Sequence, residues 1–246
     1  MTPGSRVIPM EGDGWHLEIP PGPAGRYRLA QLDDYQGLSR RSHPRHAPLH
    51  LSLRARASGA EIPGTWGFGL WNDPFGTSLG FGGGQRLPAL PNAAWFFFAS
   101  PENHLSLRDD LPAKGGMAAA FRSAALPTPL LALGALGLPL LVIKPISRLL
   151  RRLGRRFVRQ DTARLEIDPV EWHAYELAWE PERTTFRLDG RSVLESKISP
   201  HGPLGLVMWV DNQYAAWHPD GRLRWGTLAK GEPAWLEVAE IKNSPA

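Results

Sequence analysis

A chain of 246 residues, 42% hydrophobic and 21% charged, is long enough to bury one full core. Its 26 glycines and 24 prolines suit many turns and argue against a helical bundle, and the lack of cysteine excludes disulfides and thiolate metal sites. The net charge of +4 is local: Lys144 with Arg148, Arg151, Arg152, Arg155, Arg156 and Arg159 contributes +7 and leaves −3 for the rest, which argues against a nucleic-acid surface built into the fold.

The first twenty residues hold no apolar stretch of secretory length after a basic start. The expected location is the cytoplasm or the cytoplasmic face of a membrane. WHLEIP (15–20) and GRYRLAQLDDY (25–35) predict short strands separated by PPGPAG. A proline-punctuated loop follows over 38–50. It carries His43, His46 and His50 at a spacing that can hold a metal, but no carboxylate or cysteine completes the set, so no metal and no cofactor are expected.

LHLSLRARAS (49–58) alternates cleanly, as a half-buried strand does. TWGFGLWN (65–72) is a strand with glycines, which mark close approach of another group. A glycine- and proline-rich loop fills 73–91, and its GFGGGQ segment reads as a rim loop. NAAWFFFAS (92–100) predicts a buried strand, NHLSLR (103–108) a partner for it, and MAAAFRS (117–123) another strand.

From Ser123 to Ile143 run 21 uncharged residues, followed by KPISRLLRRLGRRFVRQ. The arginines recur at helical spacing, with Ile146, Leu150, Leu153 and Phe157 on the opposite side. A basic amphipathic helix beside an apolar segment is the pattern of a membrane-surface element. Its strand neighbours belong to one sandwich, so a single crossing is impossible, and the prolines and glycines interrupt a straight span. Segment 123–160 is therefore expected to dip into the interface, with Leu131, Leu136, Leu140 and the arginines Arg148, Arg151, Arg152, Arg155, Arg156 and Arg159 as contacts, or to cover the protein as a lid. The remainder, 1–122 and 161–246, is expected to form one domain.

Strands resume with ARLEIDP (163–169), HAYELAWEP (173–181), TTFRLDG (184–190) and RSVLESKI (191–198), with Asp189-Gly190 as a hairpin turn. GPLGLVMWVDNQY (202–214) and WLEVAEIKN (235–243) complete the set.

EWHAYELAWEPERTTFRLDGRSVLES (171–196), GPLGLVMWVDN and the terminal WLEVAEIKN resemble the glycoside hydrolase family 16 type of concanavalin A-like sandwich. Trp172, His173, Tyr175, Trp179, Pro181, Phe186, Asp189 and Gly190 carry the resemblance. It implies an all-β jelly roll and, in the family, cleavage of β-glucans and galactans by an E-x-D-x-E strand. The corresponding strand here is NAAWFFFAS, which has no carboxylate. A retaining hydrolase needs two carboxylates about 5 Å apart.

Aromatic residues gather on the segments expected to face the cleft. Trp66, Trp71, Trp95, Phe97, Tyr175, Trp209 and Trp217 are candidate ligand contacts. Asp211, flanked by Trp209 and Val210, is the candidate acid or base, with Asn212 or His104 orienting. The expected function is a peripheral membrane protein binding a hydrophobic or amphipathic ligand, such as a terpenoid, polyprenyl or glycolipid molecule, with acid–base chemistry on it. The alternatives are a family 16 hydrolase or lyase with displaced acids, such as Glu102 with Asp211, and a non-catalytic lectin-like module.

Overall fold

In a computed structural model, which describes residues 1–74, 89–126 and 138–244, the chain is a two-sheet β-sandwich. In chain order the strands are β1 (Arg6–Met10), β2 (Gly14–Ile19), β3 (Leu29–Asp33), β4 (Leu49–Ala57), β5 (Thr65–Trp71), β6 (Ala93–Ala99), β7 (Gly115–Ser123) and β8 (Val158–Leu165). They continue as β9 (His173–Trp179), β10 (Thr184–Leu188), β11 (Arg191–Ser196), β12 (Gly205–Asp211), β13 (Gln213–Trp217), β14 (Leu223–Thr227) and β15 (Ala234–Ser244). One sheet runs β1-β2-β15-β4-β9-β10-β11, the other β3-β12-β5-β6-β7-β8, and β13-β14 form a separate ribbon. All the strand pairings are antiparallel. This is the all-β sandwich expected from the sequence.

Alternation decides which side chains fill the core. β4 buries Leu49, Leu51, Leu53, Ala55 and Ala57 and turns Arg54 outward. β9 adds Tyr175, Leu177 and Trp179, and β10 adds Phe186 and Leu188. Across the gap stand Trp66, Phe68 and Leu70 of β5, Phe96 and Phe98 of β6, and Met208 and Val210 of β12. The rings interlock: Phe68 and Phe96 each meet Tyr175 edge-on, at 4.8 and 4.9 Å between centroids. The β10–β11 turn sits where the sequence places it, with Asp189 and Gly190 both at positive φ, as a two-residue hairpin turn requires.

Three expectations differ from the structure. NHLSLR is not a strand: residues 101–114 form a loop whose Asn103 and Ser106 side chains turn into the body, and only a bridge from His104 to Ala216 resembles pairing. The basic helix, α1 (Lys144–Phe157), ends before Val158, where β8 begins, five residues ahead of the strand read from sequence. β1 and β14 were not read as strands at all.

β7 and β8 are neighbours paired from Ser123↔Val158 to Gly116↔Leu165. The insertion thus leaves and re-enters the sheet at facing residues, as a connection between adjacent strands. Among the described residues no helix is long and apolar enough to cross a membrane.

Candidate functional site

The outer face of the six-stranded sheet carries the site. β5 directs Thr65, Gly67, Gly69 and Trp71 to this side, because Trp66, Phe68 and Leu70 fill the core. Their register partners follow: Trp95 and Phe97 on β6, Met117, Ala119 and Phe121 on β7, and Trp209 and Asp211 on β12. Leu29, Phe97, Ala99, Met117, Val207 and Trp209 form a second apolar cluster here, bordered by Trp71 and Trp95.

The glycines of β5 make the ring packing possible. A Cβ at Gly67 would lie 2.9 Å from Cη2 of Trp209, and one at Gly69 would lie 2.7 Å from Cβ of Trp95. With no side chain there, Trp209 sits 5.7 Å from Trp95 and 5.9 Å from Phe97, and stacks parallel to Trp71 at 6.3 Å. Trp95 also meets Trp71 at 5.9 Å and the edge of Phe121 at 5.7 Å. Trp209 and Phe97 are buried, while Trp71, Trp95 and Phe121 are half-buried.

Polar groups border this platform. The Trp71 indole N–H donates to Tyr35 Oη at 2.7 Å. Gln31 Nε2 donates to Asp33 Oδ2 at 2.9 Å and to Tyr35 Oη at 3.3 Å. The face is greasy in the middle and hydrogen-bonding at one edge.

Asp211 lies at the other end of the same face, buried. Its Oδ1 accepts the Thr65 hydroxyl at 2.9 Å, the Thr65 amide at 3.1 Å and the Gln213 amide at 3.1 Å. Thr65 Oγ1 in turn accepts the Trp209 indole N–H at 3.0 Å. Tyr27 donates its hydroxyl to the carboxyl as well. Burial pushes the Asp211 carboxyl up to about 7, against the pull of its hydrogen-bond donors. Burial and the facing carboxylate push the Tyr27 hydroxyl up too. Asp211 is thus an acid that holds its proton near neutrality and also anchors the β5 and β13 ends.

The carboxylate that register places on the outward side of β3 stands too far from Asp211 to pair with it. All 24 Asp and Glu residues lie among the described residues. On the outward side of these strands, Asp211 shares the face with Asp33. Register sets Asp33 opposite Val207 and Asp211 opposite Leu29. Four residues of strand separate them, about 13 Å at ~3.3 Å per residue. Retaining and inverting glycosidases hold their acids about 5 and about 6.5–9.5 Å apart. Glu102, the displaced-acid candidate, is exposed beyond the end of β6.

Several predicted contacts are elsewhere. Trp66 is buried between the sheets and stacks on Phe98 at 3.7 Å, because even positions of β5 face the core. Tyr175 is in the same core against Phe68. Trp217 donates its indole N–H to Ser147 Oγ under α1, at 2.8 Å. Asn212 does not orient Asp211. Its amide is consumed by structure, accepting from the Arg28 amide and donating to the Arg26 and Leu228 carbonyls. His104 is buried 5.0 Å from His218, and burial, Arg151, His218 and Lys114 drive its pKa down to about 4. Trp71, Trp95, Phe97 and Trp209 do share one face.

Reading the sequence missed Gln31, Tyr35 and Phe121. Alternation in LAQLD signals Gln31, but MAAAFRS is alanine on both faces, which hides the side Phe121 takes. Leu131 and Leu136, and the loop containing GFGGGQ, lie outside the described residues. Among the described residues no group of His, Asp and Glu is arranged to hold a metal. A cleft of about 250 Å³ on the seven-stranded sheet, lined by His50, Glu176, Arg183, Arg187 and Glu195, is a solvated ion-paired surface remote from the aromatic face.

Neither a family model nor a curated protein matches this sequence. Solved structures do. The kappa-carrageenase from Pseudoalteromonas carrageenovora, in complex with an oligotetrasaccharide of kappa-carrageenan, superposes with a TM-score of 0.50 at 10% identity, covering 96% of this chain and 81% of that one. A Bacteroides ovatus mixed-linkage glucan GH16 protein gives 0.49 at 9% identity, covering 99% and 86%. A legume lectin-like domain from Entamoeba histolytica gives 0.48 at 9%, covering 98% and 88%. At 10% identity the carrageenase likeness speaks for the fold alone, and that fold agrees with the resemblance read from the sequence.

Proposed function

We propose that this concanavalin A-like sandwich, of the glycoside hydrolase family 16 type, binds carbohydrate on its outward aromatic face and does not cleave it. The observation that carries the reading is the pairing of half-buried Trp71 and Trp95, 5.9 Å apart, with the Gln31–Asp33–Tyr35 edge, on a face where the outward carboxylates of β3 and β12, Asp33 and Asp211, stand about 13 Å apart. Indole faces stack on the apolar faces of sugar rings, and a bordering amide and carboxylate take the hydroxyls. The aromatic face and the similar carrageenase, solved with an oligosaccharide of kappa-carrageenan, point to the same class of ligand. They favour it over the terpenoid or polyprenyl ligand expected from the sequence.

Affinity electrophoresis through gels containing soluble β-glucans or galactans tests this. The native protein is retarded by at least one glycan. Trp95→Ala weakens that retardation about tenfold, the loss of ~1.4 kcal/mol of stacking. Asp211→Asn leaves it unchanged. Indifference to every glycan contradicts the proposal. Release of reducing ends that vanishes in Asp211→Asn would instead support the hydrolase.

A further inference from the structure

We propose that α1 and the turn before it seat the protein on an anionic phospholipid surface. This does not rest on the carbohydrate reading.

The helix is docked by its polar side. Ser147 and Arg151 are its buried residues. The Arg151 guanidinium donates twice to the Ser106 carbonyl, both at 3.0 Å, and pairs with Asp109, which also binds Arg155. Trp217 closes on Ser147. Arg151 is therefore spent on the body, a correction to its expected membrane role. At 100° per residue this anchored strip lies roughly 120° from the apolar stripe centred on Ile146, Leu153 and Phe157.

The apolar stripe is consequently outside. Of the twelve large apolar side chains exposed among the described residues, six fall between 140 and 157: Leu140, Val142, Ile143, Leu149, Leu153 and Phe157. Val142 is 71% exposed and Leu149 54%. A cluster of this kind marks an interaction surface. Its chemistry names the occupant. Arg156 and Arg152 border the stripe beside Leu149, Arg148 lies farther round, all three are exposed, and the helix carries no acidic residue. An apolar stripe bordered by arginines fits acyl chains below and anionic headgroups beside them. A soluble polyanion would engage the arginines and leave the leucines in water.

Co-sedimentation with phosphatidylcholine vesicles, with and without phosphatidylserine, tests the assignment on the full chain. The native protein pellets with the anionic vesicles, and added salt releases it. Leu149→Glu with Leu153→Glu reduces partitioning by about tenfold or more. Arg152→Ala with Arg156→Ala reduces it about fivefold per arginine. All four side chains point to solvent, so unchanged unfolding midpoints confirm intact folds. The proposal fails if the native protein ignores anionic vesicles or binds neutral ones equally. It also fails if the leucine variant keeps its binding, since the arginines alone would then be reading a polyanion. Self-association of the native protein that the leucine variant abolishes, without vesicle binding, would assign the stripe to a second copy.

Discussion

At the scale of single residues, two tryptophans expected on the ligand-binding face separate cleanly. Trp66 fills the inter-sheet core on Phe98, whereas Trp95 rests on the outer face. Trp66→Ala is expected to cost about 3–5 kcal/mol in denaturant unfolding. Trp95→Ala is expected to cost far less and to weaken glycan binding about tenfold. Two buried groups also oppose each other in pH dependence. The Asp211 carboxyl sits above its unfolded value, at about 7, so between pH 4 and 7 the native state holds the extra proton and stability falls as pH rises. His104 sits below its unfolded value, at about 4, so between pH 4 and 6.5 the unfolded state holds the extra proton and stability rises with pH. The two slopes offset one another in the native protein. Asp211→Asn removes the falling component, and its unfolding free energy should climb from pH 4 to 6.5 more steeply than the native protein's. An unchanged slope would contradict the buried, protonated state of Asp211.

At the scale of elements, alternation made most strands legible: LHLSLRARA and HAYELAW expose their inward faces in the sequence itself. Sidedness was harder. β5 and β6 are apolar on both faces, so period two cannot say whether Trp66 or Trp71 meets the cleft, and Trp66 and Tyr175 were placed on the wrong side for that reason. The acid was visible in WVDNQY, but the donors around it come from Thr65 and Tyr27, far away in sequence. The amphipathic pattern of α1 was plain, yet which face docks depended on Ser106, Asp109 and Trp217, which no local pattern links to it. Asp109 is held below the usual carboxylate range: burial works against ionisation, and Arg155 and Arg151 outweigh it. Arg151→Ala should therefore release the helix. Hydrogen exchange across 144–157 is expected to accelerate sharply while β4, β9 and β12 remain protected. Equal protection in the variant would mean that other contacts hold the helix.

At the scale of the whole molecule, a two-sheet β-sandwich presents an aromatic face, a buried acid at one end of it and an insertion hung between two paired strands. Because Ser123 faces Val158 directly, replacing residues 124–157 with an Asn-Gly turn should leave a cooperatively unfolding β-protein that no longer binds anionic vesicles. The central claim is that this face holds glycans without breaking them, since Asp33 and Asp211 stand four strand residues apart in register. Mass spectrometry of a retarding glycan after prolonged incubation with the native protein tests it most directly. The account predicts chains of unchanged length; shortened oligosaccharides that are absent with Asp211→Asn would contradict it.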